Sequence, residues 1–152
     1  MKTLAIHTAT RDQGEFVLGA LHDAVDMDRV KLDDVAMVSI DQSGEVTMHR
    51  HHHLFHHHVI EKSLLERLAK ELEPGAAMAV VRGEGSQVDA VGARARAISN
   101  GDFKTYEVSD AGLSEVTGTN TPIELDDPEG LLVESAVDIP LQTTILVKAP
   151  IS

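Results

Sequence analysis

The sequence predicts an α+β fold: a ferredoxin-like β-α-β-β-α-β core, extended by a further α-β pair and followed by a C-terminal β-rich arm. Three observations carry that prediction. Along residues 1–109 the apolar residues switch repeatedly between a period of two and a helical period of about 3.6. The elements so marked run β-α-β-β-α-β-α-β, and the first six are those of a split β-α-β unit with two helices on one face of an antiparallel sheet. After Ser109 the chain turns to SDAGLSEVTGTNTP, a linker by its Gly, Ser, Thr and Asn content.

Each element has its own local warrant. Residues 2–8 alternate, with Leu4 and Ile6 on one side and Ala5 and His7 on the other. Thr10 and Gln13 have capping-box spacing, and Phe16, Val17, Ala20, Leu21 and Ala24 recur at helical intervals, so a helix runs to about Asp26. Residues 35–40 return to period two, 41–44 carry turn chemistry, and 45–48 begin the second arm of a hairpin. On that arm Val46 and Met48 face the core, leaving Thr47 and His49 outward. Ile60, Leu64, Leu65, Leu68 and Leu72 form a helical stripe backed by charged residues, and Pro74-Gly75 ends it. The apolar run 76–81 reads as a central strand covered on both faces. Val88, Val91, Ala95 and Ile98 mark a third helix, Asn100-Gly101 its C-cap, and 103–108 a fifth strand. The expected organisation is a core over 1–109, then linker and extended arm over 110–152. β-prone pieces at 131–133 and 143–147 have no core of their own, so the arm needs a surface, either a neighbouring subunit or its own sheet edge.

Composition excludes several function classes. With 13 Lys and Arg against 25 Asp and Glu, the formal charge is −12, which disfavours nucleic acid and favours cations. Protonating all nine histidines would raise that charge to −3, so the electrostatics depend strongly on pH between about 5 and 8. The absence of cysteine removes disulfides, thiolate metal sites and thiol nucleophiles together. Neither a signal-peptide core nor a run approaching the ~18 apolar residues of a membrane span is present, so a cytoplasmic protein without a transmembrane segment is expected.

Three stretches together resemble a known family: DDVAMVSIDQSGEV (33–46), LAKELEPGAAMAVV (68–81) and YEVSDAGLSEV (106–116). They are similar to a bacterial family of unknown function whose members are catalogued as predicted membrane proteins. The resemblance spans roughly residues 3–116. It implies a ferredoxin-like part interrupted, between hairpin and second helix, by a Gly- and Ala-rich apolar insert that enters or touches a membrane. Here the insertion point holds HRHHHLFHHH instead, so the membrane role does not carry over. The resemblance supplies no catalytic residues.

That segment is the chain's chemical signature. Seven of the nine histidines, His49, His51, His52, His53, His56, His57 and His58, fall within ten residues. Neutral imidazole is the commonest protein ligand for Zn²⁺, Ni²⁺, Cu²⁺ and Fe²⁺, and a site needs three or four donors. If the second helix extends backward over 50–59, then His49, His52, His53, His56 and His57 share a face, and His52 with His56 or His53 with His57 can chelate one ion. If the segment is extended, His49, His51 and His53 line one side. Asp or Glu, water or a symmetry-related copy completes the shell. Leu54-Phe55 reads as an apolar anchor; haem remains an alternative without a signature.

Two other readings compete with a metal site. Internal placement, the Leu-Phe interruption and Arg50 argue against an affinity-tag remnant. A polar loop binding metal only as any histidine-rich peptide would is the second. Elsewhere the chemistry is thin: Arg82-Gly-Glu-Gly-Ser86 reads as a tight turn, Asp33-Asp34 and Asp126-Asp127 as caps and turns, His7 as a satisfied sheet histidine and His22 as a solvated one. The expected function is therefore non-enzymatic transition-metal binding, Zn²⁺ or Ni²⁺ first, by a homo-oligomer, for storage, buffering or sensing. The alternative is a homo-oligomeric assembly or docking module with the histidines as interaction surface or pH switch.

Overall fold

The computed structural model describes residues 1–50 and 59–117. The elements are β1 (Lys2–Thr8), α1 (Arg11–Asp26), β2 (Asp34–Ile40), β3 (Val46–Arg50), α2 (Lys62–Ala69), β4 (Ala77–Gly83), α3 (Gly85–Ile98), β5 (Lys104–Ser109) and β6 (Gly112–Val116). The six strands form one sheet in the order β3-β2-β4-β1-β5-β6, every neighbouring pair antiparallel. Thus β1 and β2, joined by α1, are separated in space by β4.

Local chemistry starts and stops these elements as anticipated. The Thr10 side chain accepts from the Gln13 N–H, and the Gln13 side chain accepts from the Thr10 N–H, closing the capping box of α1. Further along the chain, α3 is terminated by Asn100 and Gly101, at φ 57° and 85°, with the Gly101 N–H donating to the Arg96 carbonyl at 2.8 Å.

The sheet is covered on both faces, and the distribution of helices differs from the expectation. Leu4, Ile6, Val35, Met37, Ala77, Ala79 and Val81 point into one core with Val17, Leu18 and Leu21 of α1 and Val88, Val91 and Ala95 of α3. The alternate residues Ala5, Ala36, Val38, Met78 and Val80 point into a second core with Leu65, Leu68, Ala69 and Leu72 around α2. The helices sharing a face are therefore α1 and α3. The first six elements do not form the expected two-helix layer, because among the described residues β3 pairs only with β2, at the sheet edge, and α2 lies on the opposite face. A second correction concerns Gly112–Val116, expected as linker: it is a strand, with Val108 opposite Leu113 and Thr105 opposite Val116. The arm at 118–152, its β-prone pieces and Asp126-Asp127 lie outside the described residues. Among the described residues, no helix is long and apolar enough to cross a membrane.

Two positions make testable demands. A Cβ at Gly14 of α1 would lie 2.8 Å from the Ala77 Cβ and 3.1 Å from the Met37 sulfur, so this helix rests directly on the sheet. Gly14→Ala should therefore destabilise by about 1–3 kcal/mol in urea unfolding, although alanine is intrinsically the better helix former by about 1 kcal/mol. In the β2–β3 turn, the Asp41 carboxylate accepts from the Ser43 hydroxyl and from the Ser43 and Glu45 N–H groups, at 2.6, 2.8 and 2.9 Å. The Ser43 hydroxyl, then these backbone donors, hold its pKa below the ordinary value of 3.8. A depressed folded-state pKa means this support is complete above about pH 4 and is lost as pH falls through the folded value. An NMR titration should show the Ser43 and Glu45 amides shifting at lower pH than those beside ordinary aspartates.

Candidate functional site

The histidine-rich segment continues from Arg50, the last described residue of β3, and the described chain resumes at Val59. Arg50 lies opposite Ala36, on the α2 side of the sheet. Asp34 shares that side of β2, two residues earlier, and its side chain is 0 % exposed. One of its oxygens, Oδ1, accepts from the Val35 N–H at 2.9 Å. The other, Oδ2, accepts from the Ile60 N–H at 2.9 Å and pairs with Arg50 Nη1 at 3.4 Å. Arg50 Nη2 in turn donates to the Ile60 carbonyl. One carboxylate and one guanidinium thus fasten the residue before the segment to the residue that re-enters the core after it. The Ile60 side chain, 1 % exposed, seats the same junction among Leu65 and Leu68.

This clasp also decides how α2 begins. A backward extension of the helix would need the Ile60 N–H and carbonyl for helical hydrogen bonds, and both are engaged by Asp34 and Arg50. The helix starts instead at Lys62, with Glu61 as an extended N-cap (ψ 148°). The expectation that a helix running back through residues 50–59 would put His49 on one face with His52, His53, His56 and His57 is therefore corrected: Arg50 is strand, residues 59–61 are not helical, and His49 belongs to β3.

His49 is opposite Met37, on the α1 side, so "outward" on this sheet means toward a helix. Its Nε2 lies 3.1 Å from Arg11 Nη2, and Arg11 Nε donates to Glu15 at 2.9 Å. Guanidinium has no acceptor, so a neutral His49 ring accepts at Nε2, leaving Nδ1 as the nitrogen available for a metal without breaking that contact. The remaining candidates His51, His52, His53, His56, His57 and His58, with Leu54 and Phe55, lie outside the described residues.

The two isolated histidines are placed in full. His7 Nε2 is 3.6 Å from Glu73 Oε1, with the ring 20 % exposed, and the neighbouring Tyr106 hydroxyl is pushed up by burial and by the charges of Glu115 and Glu73. His22, read as solvated, is partly buried, its Nδ1 3.7 Å from Asp23. Among the described residues no group of three or more His, Asp and Glu side chains is arranged to hold a metal ion. At the Arg82–Ser86 turn, Glu84 is the N-cap of α3 and accepts from the Ser86 hydroxyl, consistent with a tight turn.

Sequence reasoning missed Asp34. Adjacent acids before an apolar run read as a cap, whereas Asp34 is already inside β2 and fully buried. The available signal was Arg50, an arginine among histidines that needs a carboxylate if it is to lie against a core. Compared with protein-family models, curated proteins and solved structures, the chain matches none.

Proposed function

We propose that this protein binds transition-metal ions, Zn²⁺ or Ni²⁺ before Cu²⁺ or Fe²⁺, through the histidines of 49–58, for storage, buffering or sensing rather than catalysis. The observation that carries the reading is the concentration of seven imidazoles in ten residues at a junction clasped by Asp34, Arg50 and Ile60. Holding the two ends of a short segment together lowers the entropy lost when several of its side chains converge on one ion. The formal charge of −12 adds a long-range attraction for cations.

The framework β1-α1-β2-β4-α3-β5 supports a ferredoxin-like reading in which β3 and α2 are the additional elements, inserted between β2 and β4. On this reading the histidine segment interrupts the insertion, at the place where the family resemblance of residues 3–116 puts an apolar insert. Membership of that family is a proposal of the same standing.

Elemental analysis and native mass of protein purified without metal-affinity resin test the function. A transition metal retained through dialysis at a fixed ratio per chain is expected. The quartet His52→Ala/His53→Ala/His56→Ala/His57→Ala should lose at least about 100-fold in Zn²⁺ affinity by calorimetry. Wild-type protein that emerges metal-free and binds Zn²⁺ no more tightly than an unstructured peptide of residues 49–58 sinks the proposal.

A second reading, a homo-oligomeric assembly module, is favoured by the sheet's two outer strands, β3 and β6, each with one unpaired edge among the described residues. It calls for an oligomer whose mass changes between pH 8 and 5.5 with chelator present.

A further inference from the structure

At the far edge of the sheet from the histidine segment, a cleft of about 530 Å³ opens between the end of α3 and the β5–β6 hairpin. Arg96, Phe103, Lys104, Glu115, Val116 and Thr117 are among its walls. Arg96 is the unusual member. Its Nη1 donates to the buried Thr105 hydroxyl at 2.6 Å, and that hydroxyl donates to the Val116 carbonyl at 3.1 Å, so the guanidinium is braced against the hairpin. Among the described residues its Nε is buried with no acceptor, and no carboxylate comes within ion-pair distance of the guanidinium. Burial holds its pKa below the ordinary value, with the charge of Asp89 acting the other way. In a chain with 25 acids and 13 bases, a half-buried guanidinium with Lys104 on the same cleft wall suits an anionic partner.

The chain itself supplies a candidate. Thr117 is on the cleft wall, and the next 35 residues contain Glu124, Asp126, Asp127, Glu129, Glu134 and Asp138 against the lone base Lys148. Residues 123–127 read Ile-Glu-Leu-Asp-Asp, apolar and acidic by turns, matching Phe103 and Val116 beside Arg96 and Lys104. A five-residue linker spans at most about 17 Å extended, which suits a cleft that begins where the chain leaves it.

We propose that the α3/β5/β6 cleft is the docking site of the chain's own acidic segment, residues 123–129, with carboxylates on Arg96 and Lys104 and Ile123 and Leu125 against Phe103 and Val116. The occupant is intramolecular. A neighbouring copy or a free small carboxylate are the sources the test separates from it.

The absence of cysteine allows one nitroxide, at Gly130→Cys, in the full ¹⁵N-labelled chain. Paramagnetic broadening of the Phe103, Lys104 and Thr117 amides should exceed that of Thr47 on the opposite edge several-fold. Glu124→Gln/Asp126→Asn/Asp127→Asn, which changes no residue of the described sheet, should abolish the difference, as should Arg96→Gln. Several outcomes overturn the proposal: even broadening over the whole sheet, strongest broadening at His49, or full broadening with the neutralised tail. So does broadening carried onto ¹⁵N chains mixed with spin-labelled unenriched ones, which assigns the tail to a second copy. Acetate or succinate at millimolar concentration should leave the broadening unchanged; displacement by either assigns the cleft to a small carboxylate.

Discussion

Asp34→Ala is expected to destabilise the protein by about 3–5 kcal/mol, the range for removing one partner of a buried ion pair. The side chain is 0 % exposed and Arg50 only 16 % exposed, so water does not take over their interaction. Removing the carboxylate leaves the guanidinium with the Ile60 carbonyl and leaves the Ile60 N–H without its acceptor in the α2-side core. Asp34→Asn keeps an oxygen for Ile60 but loses the charge, and should fall between wild type and Asp34→Ala. Breaking this pair is not the same as replacing it. A double change to apolar residues of similar size, Asp34→Leu with Arg50→Met, should recover part of the loss, because neither charge then has to be desolvated. Urea unfolding measures all three. The functional consequence is separable from stability: Asp34→Asn should weaken Zn²⁺ binding at concentrations where the fold is intact. Leu21→Ala, an equally buried α1 position, should lower stability by a similar ~2–5 kcal/mol without touching affinity. Equal affinity in the two variants would mean that the clasp serves only the fold.

The division of the chain into elements was legible because each carries its own period and punctuation, Thr10 with Gln13 and Asn100-Gly101 among them. The face covered by each helix was not. In β2 and β4 both alternations are apolar, Val35 and Met37 against Ala36 and Val38, and Ala77, Ala79 and Val81 against Met78 and Val80. Strands that bury both sides carry no mark of which helix lies where, and α2 is as amphipathic as α1. Strand β6 has the composition of a linker for a different reason. An edge strand needs one row of hydrogen bonds, and Leu113 and Val116 are its only apolar anchors, one toward each core. Asp34 escaped because its meaning lies in residues 16 and 26 positions away, which no local pattern connects. Of the candidate metal set, His49 has a position that sequence alone would not give, on a strand and held by Arg11. The chemistry of the segment, by contrast, was legible from composition, since seven imidazoles in ten residues need no fold to identify their ligand class.

Metal affinity should fall steeply on acidification, and the steepness counts the ligands. A coordinating imidazole must be neutral, so metal and protons compete for the same nitrogens. With an ordinary imidazole pKa of about 6.5, the neutral fraction drops about 10-fold between pH 7.5 and 5.5. Each coordinating histidine therefore contributes about one factor of ten to the apparent dissociation constant over that interval. Two ligands from one chain give about 100-fold, and three give about 1000-fold. Zn²⁺ titrations at pH 7.5, 6.5 and 5.5, with native mass recorded at each, read both numbers. A loss near 1000-fold with one metal per chain means three imidazoles from a single segment. The same loss with one metal per two chains means that ligands are pooled across copies, which joins the metal and assembly readings into one site. A loss below 10-fold would show that carboxylates, not histidines, hold the ion, and would remove the segment's claim to it.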